Sequence, residues 1–159
     1  MNSQPLRRET KVTVFVGGIM QGSKQEMAVH DQTYRAQIAA VVRRHHPEVE
    51  IVDPAQLYPD SVNYDRERAV ATFLTSLDRA AASDALVAYL PEASMGTALE
   101  IWRAYDAGKP VFVISPMAQN WMLWATATHI FADLDAFSAF VAAGGLVPHL
   151  GAGPTSRPT

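Results

Sequence analysis

Apolar residues in this chain fall into short β-branched runs separated by longer stretches where they recur every three or four positions. That alternation predicts strands interleaved with helices. The run 12–16 (Val-Thr-Val-Phe-Val) is a first strand ending at Gly17-Gly18. From 26 to 46, Ala28, Tyr34, Ile38, Val41 and Val42 keep helical spacing until Pro47. A second strand starts at 48 and ends at Asp53-Pro54. A loop to Asp65 follows, more polar and aromatic than a plain connection requires. A helix over 66–82 is expected to bury Val70, Phe73, Leu74 and Leu77, and it leads to a third strand at 85–90. A helix running from Glu100 ends at Gly108 and is followed by a fourth strand at 109–116. An apolar helical stretch at 120–128, a short fifth strand at 129–131 and a helix at 134–143, stopped by Gly144-Gly145, complete the chain.

Strands joined by helices pair in parallel, with both faces of the sheet covered and right-handed crossovers. The expected fold class is therefore α/β: a single-domain doubly wound five-stranded parallel sheet, flavodoxin-like or Rossmann-like, in the order 2-1-3-4-5. The domain is expected to span 11–150, with frayed, Gly/Pro/Ser-rich or polar ends at 1–10 and 151–159.

Composition agrees with this. The chain has 159 residues, 48% of them apolar and 18% charged, enough for a sizeable core. A net charge of -3 with scattered basic residues gives no footprint for polymeric nucleic acid. There is no cysteine, the start lacks an apolar signal-peptide core, and no run approaches a membrane span; a cytoplasmic protein is expected.

Ligands of doubly wound sheets bind beyond the carboxyl ends of the strands, near the switch point between the first and third. The segments 17–24, 53–65, 91–100 and 115–120 leave strands at that end and can converge on one pocket. Asp84 opens a strand and belongs to the opposite end. The stretch Ser94-Met95-Gly96-Thr97-Ala98-Leu99-Glu100 places a hydroxyl, free backbone N–H groups and a carboxylate around a helix start, where the positive end of the helix favours an ionised acid. Thr97-x-x-Glu100 is equally a capping box, and spacing alone leaves both readings standing. The histidines at 30, 45, 46, 129 and 149 form no nucleophilic triad, and the exit loops carry no metal-ligand spacing. No cofactor or metal is expected.

This stretch, after Asp84-Ala85-Leu86-Val87-Ala88-Tyr89-Leu90, resembles the S/D-x-G-x-x-x-E signature of the nucleoside 2-deoxyribosyltransferase family, which includes 2'-deoxynucleoside 5'-phosphate N-hydrolase-like proteins. The likeness extends to Gly17-Gly18-Ile19-Met20-Gln21-Gly22 and Ala107-Gly108-Lys109-Pro110. It implies that Glu100 is a nucleophile attacking C1' of a (deoxy)ribosyl group. The glycosyl-enzyme would then be resolved by water in a hydrolase or by a second base in a transferase.

Relatives hold an aspartate in the helix before the third strand. Ser76 stands at that place here, so Asp65 is taken as the second catalytic candidate. Gly17, Gly18, Ile19, Tyr64, Ser94, Gly96 and Asn120 are the substrate-binding candidates. Ser94 matches relatives that act on monophosphates, whereas Met20 and Gln21 stand where phosphate-binding relatives carry arginine, with Lys24 the nearest cation. The implied partner is a small nucleoside or nucleotide. A homodimer or larger homo-oligomer is also implied, with the 120–124 segment as a candidate contact surface.

Two alternatives share parts of this pattern. A cytokinin-activating-type phosphoribohydrolase shares Gly96-Thr97-x-x-Glu100, but its double glycine is replaced by Glu92-Ala93. A non-catalytic nucleotide-sensing module would keep the fold and leave Glu100 without chemistry.

Overall fold

A computed structural model describes residues 11–26 and 28–151. Of the ends expected to fray, 1–10 and 151–159, all but Gly151 lie outside the described residues. Five parallel strands, β1 (Thr13–Gly18), β2 (Glu50–Val52), β3 (Ala85–Tyr89), β4 (Val111–Ile114) and β5 (His129–Phe131), form one sheet in the order β2-β1-β3-β4-β5. This is the expected doubly wound α/β sheet.

Successive residues of a strand point to opposite faces, so each central strand feeds two cores. Val14, Val16, Ala85, Val87, Phe112 and Ile114 pack beneath α1 (Thr33–His45) and α6 (Leu134–Ala142). Phe15, Leu86, Ala88, Val111 and Val113 pack on the other face beneath α3 (Arg66–Ala82), α4 (Met95–Asp106) and α5 (Trp121–Thr126). Asp84 lies at the amino end of the sheet as expected, and accepts the Thr13 N–H at 2.8 Å.

Helix boundaries differ from expectation for local reasons. α1 begins at Thr33 because the Asp31 carboxylate accepts the Thr33 N–H (2.9 Å) and hydroxyl (2.8 Å) there. The preceding residues secure the first exit loop instead: the His30 N–H bonds the Met20 carbonyl, and Gln32 Nε2 bonds that of Ile19. The 53–65 loop folds into a short helix, α2 (Pro54–Leu57), and a 3-10 turn at Ser61–Asn63. α3 has the expected bounds but buries only Ser76 and Ala80. Val70, Phe73 and Leu74, expected in the core, are exposed, because the strip of α3 that meets α4 and the sheet is made of its small residues.

Candidate active site

β1 ends at Gly17-Gly18, beside the point where β3 hands the chain to α4. Ser94 is the N-cap of α4, accepting the Thr97 N–H at 3.5 Å and the Thr97 hydroxyl at 3.1 Å. The helix therefore starts at Met95, ahead of the Thr97 cap that the sequence offered, and the Thr97–Glu100 capping box is not formed. Glu100 sits in the second turn and turns inward toward β1. A Cβ on Gly17 would stand 2.8 Å from its Oε2, so the carboxylate occupies the space a side chain at 17 would need. From α3, the Ser76 hydroxyl donates to Glu100 Oε1 at 3.2 Å.

Burial of the carboxyl among these elements pushes its pKa up, from 4.5 to about 7. The Arg35 charge and the Ser76 hydrogen bond oppose the rise, and Asp53 adds to it. Sequence reasoning expected the helix terminus to favour the charged form. That effect fades beyond the first turn, and burial outweighs it.

Arg35, in the first turn of α1 and 5% exposed, lies beneath the glycine loop. It donates to the carbonyls of Val16 (2.9 Å) and Gly18 (3.2 Å), to Gln32 Oε1 (2.7 Å) and to the buried Asp53 carboxylate (3.0 Å). Asp53 also caps α2 through the Ala55 N–H. Beside it, burial raises the Tyr34 hydroxyl well above its ordinary range, and the neutral group donates to the Ile19 carbonyl at 3.0 Å.

Glu100 opens on a cavity of about 350 Å³. Its walls come from the first exit loop (Met20, Gln21), the α2 region (Pro54, Tyr58, Ser61, Val62, Tyr64) and α3 (Ala69, Thr72, Phe73, Ser76). Of the expected site residues, Glu100 and Tyr64 line this cavity, and Gly17 seats the Glu100 carboxylate. The Tyr64 ring lies under the Arg68 guanidinium (3.8 Å to its centroid), which donates to the Tyr64 hydroxyl.

The remaining candidates have local duties. Asp65 caps α3 by accepting the Arg68 N–H at 2.8 Å and is exposed outside the cavity lining. Asn120 caps α5 through the N–H groups of Met122 and Leu123. Ile19 is 1% exposed, its N–H donates to the Tyr89 carbonyl and its own carbonyl is engaged twice. Gly18 makes room for the Tyr34 ring, while a Cβ on Gly96 would meet only Phe73, at 3.7 Å. Lys24 donates to the Val29 carbonyl and is not part of the lining.

Sequence reasoning did not single out Arg35 or Tyr58 for the site, and of the α3 wall it named only Ser76, as standing at the relatives' aspartate position. Among the described residues, no group of three or more His, Cys, Asp or Glu side chains is placed to hold a metal ion, and no helix is long and apolar enough to cross a membrane.

By sequence, the chain matches no family model and no curated protein. By structure, it is similar to a 2-deoxyribosyltransferase from the psychrotolerant bacterium Bacillus psychrosaccharolyticus, with TM-score 0.60 and 17% identity over 80% of this chain and 90% of that one. It is also similar to a conserved protein from Enterococcus faecalis V583, with TM-score 0.60 and 18% identity over 85% and 99%. A third likeness is to the CMP N-glycosidase BcmB of Clostridium botulinum, with TM-score 0.50 and 13% identity over 83% and 98%. At these identities the shared property is the fold, a five-stranded parallel sheet wound in the same way.

Proposed function

We propose that this chain is an enzyme that cleaves the N-glycosidic bond of a (deoxy)nucleoside or nucleoside 5'-monophosphate, with Glu100 as the nucleophile. The observation that carries this reading is the seating of Glu100: a single, partly buried carboxylate, fixed between Gly17 and Ser76, facing a cavity of nucleoside size with aromatic walls. The sequence resemblance and the fold shared with a 2-deoxyribosyltransferase and a CMP N-glycosidase support it.

In this reading the ionised Glu100 donates an electron pair to C1' as the bond from C1' to the base nitrogen breaks and the pair in that bond leaves with the base. The result is a glycosyl ester on Glu100 and the base as an anion, which becomes the free base on taking up a proton, balanced by the one that the attacking water or second base later gives up. A carboxylate held near pKa 7 is more nucleophilic than an ordinary one, and the cationic character of the sugar at the transition state favours its charged form. Asp65 is engaged as a helix cap, so hydrogen bonds to the departing base fall to Tyr58, Ser61 and Tyr64 in the lining. Attack on C1' by water regenerates Glu100 and yields the free sugar. Attack by a second base yields a new nucleoside.

The same reading includes a second copy of the chain. Among the described residues, eight of the eleven exposed large apolar side chains lie on three neighbouring helices: Val70, Phe73 and Leu74 on α3, Met95, Leu99 and Trp102 on α4, Trp121 and Trp124 on α5. Exposed apolar side chains gathered on helices that pack against one another suit an interface. It is broader than the expected 120–124 segment, within which Leu123 is buried in the core. Phe73 belongs both to this face and to the cavity wall, so a partner docked there would border the site.

The test is chromatographic. Purified protein is incubated with nucleosides and nucleoside monophosphates, with and without a second free base, beside Glu100→Ala. The expected result is base release by the wild type and its loss in the variant; a new nucleoside formed only with added base identifies transfer. Folded wild type that releases no base from any substrate overturns the reading.

A further inference from the structure

Arg35 is a costly residue to bury. An ion pair with both partners about 95% covered gains little stability over apolar packing, because desolvation offsets the attraction between the charges. Its geometry indicates what it does. One guanidinium holds the carbonyls on either side of Gly17, those of Val16 and Gly18, and so fixes the peptide segment on which the Glu100 carboxylate rests. The same group holds Asp53, the cap of α2, and thereby the helix that carries Pro54 into the cavity wall and leads directly to Tyr58. Gln32 accepts its Nε–H and also ties the start of α1 to the Ile19 carbonyl.

We infer that Arg35 is the positioning residue of this site: its fork sets the β1 terminus against which Glu100 is seated, and it places a buried positive charge within reach of that carboxylate. The inference rests on Glu100 being the nucleophile. The charged and titratable groups facing Glu100 are Arg35 on α1, Asp53 after β2 and Tyr34 on α1, with Tyr58 and Tyr64 across the cavity and the Ser76 hydroxyl on α3. Among these, Arg35 exerts the largest influence that favours the ionised form, and the opposing influence of Asp53 is smaller.

Two variants of the full chain separate its roles. Arg35→Lys keeps the charge and loses the fork; a lysine ammonium is a point charge that does not reproduce the planar, two-carbonyl grip. The double variant Arg35→Gln with Asp53→Asn removes both charges together, so no unpaired charge is left buried. Each is assayed for kcat and KM against pH, and the Glu100 carboxyl is titrated by carbon-13 NMR, its signal assigned by its absence in Glu100→Gln.

The expected result is a Glu100 midpoint near that of the wild type in Arg35→Lys, with kcat reduced roughly tenfold to a hundredfold and KM little changed, as for a misplaced reacting group. In the double variant the midpoint moves upward and the acidic limb of kcat moves with it. A folded double variant with the wild-type Glu100 midpoint, or a folded Arg35→Lys with wild-type kcat, overturns the inference. If the wild type releases no base, the glycosidase reading fails, and the NMR midpoint still decides whether Arg35 governs Glu100.

Discussion

Gly17 and Glu100 share one volume: the carboxylate oxygen Oε2 lies 2.8 Å from the point where a Cβ on residue 17 would be. Glu100 is the far end of a flexible side chain and can swing aside, whereas the strand backbone cannot. Gly17→Ala is therefore expected to fold with a change in stability of about 1 kcal/mol or less, yet to lose kcat roughly a hundredfold as the carboxylate is displaced. Thermal unfolding measured alongside steady-state kinetics checks both halves, and an alanine variant with full activity would show that the carboxylate is not seated there during turnover.

The raised pKa of Glu100 links stability to pH with a definite sign. As pH rises past 4.5 the unfolded chain releases this proton, while the folded chain holds it until about 7, so stability falls across that window. Glu100→Gln removes the effect. It is expected to match the wild type near pH 4 and to exceed it by roughly 3 kcal/mol at pH 8, readable from urea denaturation at the two pH values. For activity the sign reverses: the nucleophile works ionised, so kcat/KM of the wild type is expected to rise through an apparent pKa near 7.

Ser76 presents its hydroxyl to Glu100 Oε1 and helps keep the carboxyl from rising further. Ser76→Ala is expected to move the acidic limb of the pH profile upward and to lower kcat about tenfold below pH 7, with recovery at pH 8. A uniform loss at every pH would instead point to lost orientation.

Much of the fold was legible because buried parallel strands must be short, β-branched and bounded by turn residues, as in 12–16 followed by Gly17-Gly18. The α1 start was not, because Ala28 fits helical spacing while the competing bonds at Asp31 and Thr33 decide the boundary. Val70, Phe73 and Leu74 show a different limit: an apolar stripe announces that something covers it, and periodicity does not say whether that is the sheet or another molecule.

Among the residues that the sequence offered for the site, Asp65, Ser94 and Asn120 are all N-caps. Small polar residues where a loop enters a helix are needed for capping and suited to ligand binding alike, so sequence pattern does not distinguish the two. Arg35 was invisible for another reason. Apart from Gln32, its partners are distant in sequence: the Val16 and Gly18 carbonyls and the Asp53 carboxylate meet it only through the crossover topology.

The apolar face over α3, α4 and α5 supplies a further expectation. Phe73→Asp or Trp102→Asp, at side chains 37% and 50% exposed, should leave the monomer folded and shift a dimer to monomer in analytical ultracentrifugation. Because Phe73 also borders the cavity, the Trp102 variant tests whether assembly itself sustains activity.

The edges of the sheet bear on how such a chain avoids sticking to itself indiscriminately. Its outer strands, Glu50–Val52 and His129–Phe131, are three residues each, so an approaching strand would find few backbone groups to bond and a charged residue at the rim of one edge. Growth by strand addition, which has no natural end, is discouraged. The pairing proposed above would instead use the helical surface, where a two-fold arrangement consumes the patch and stops.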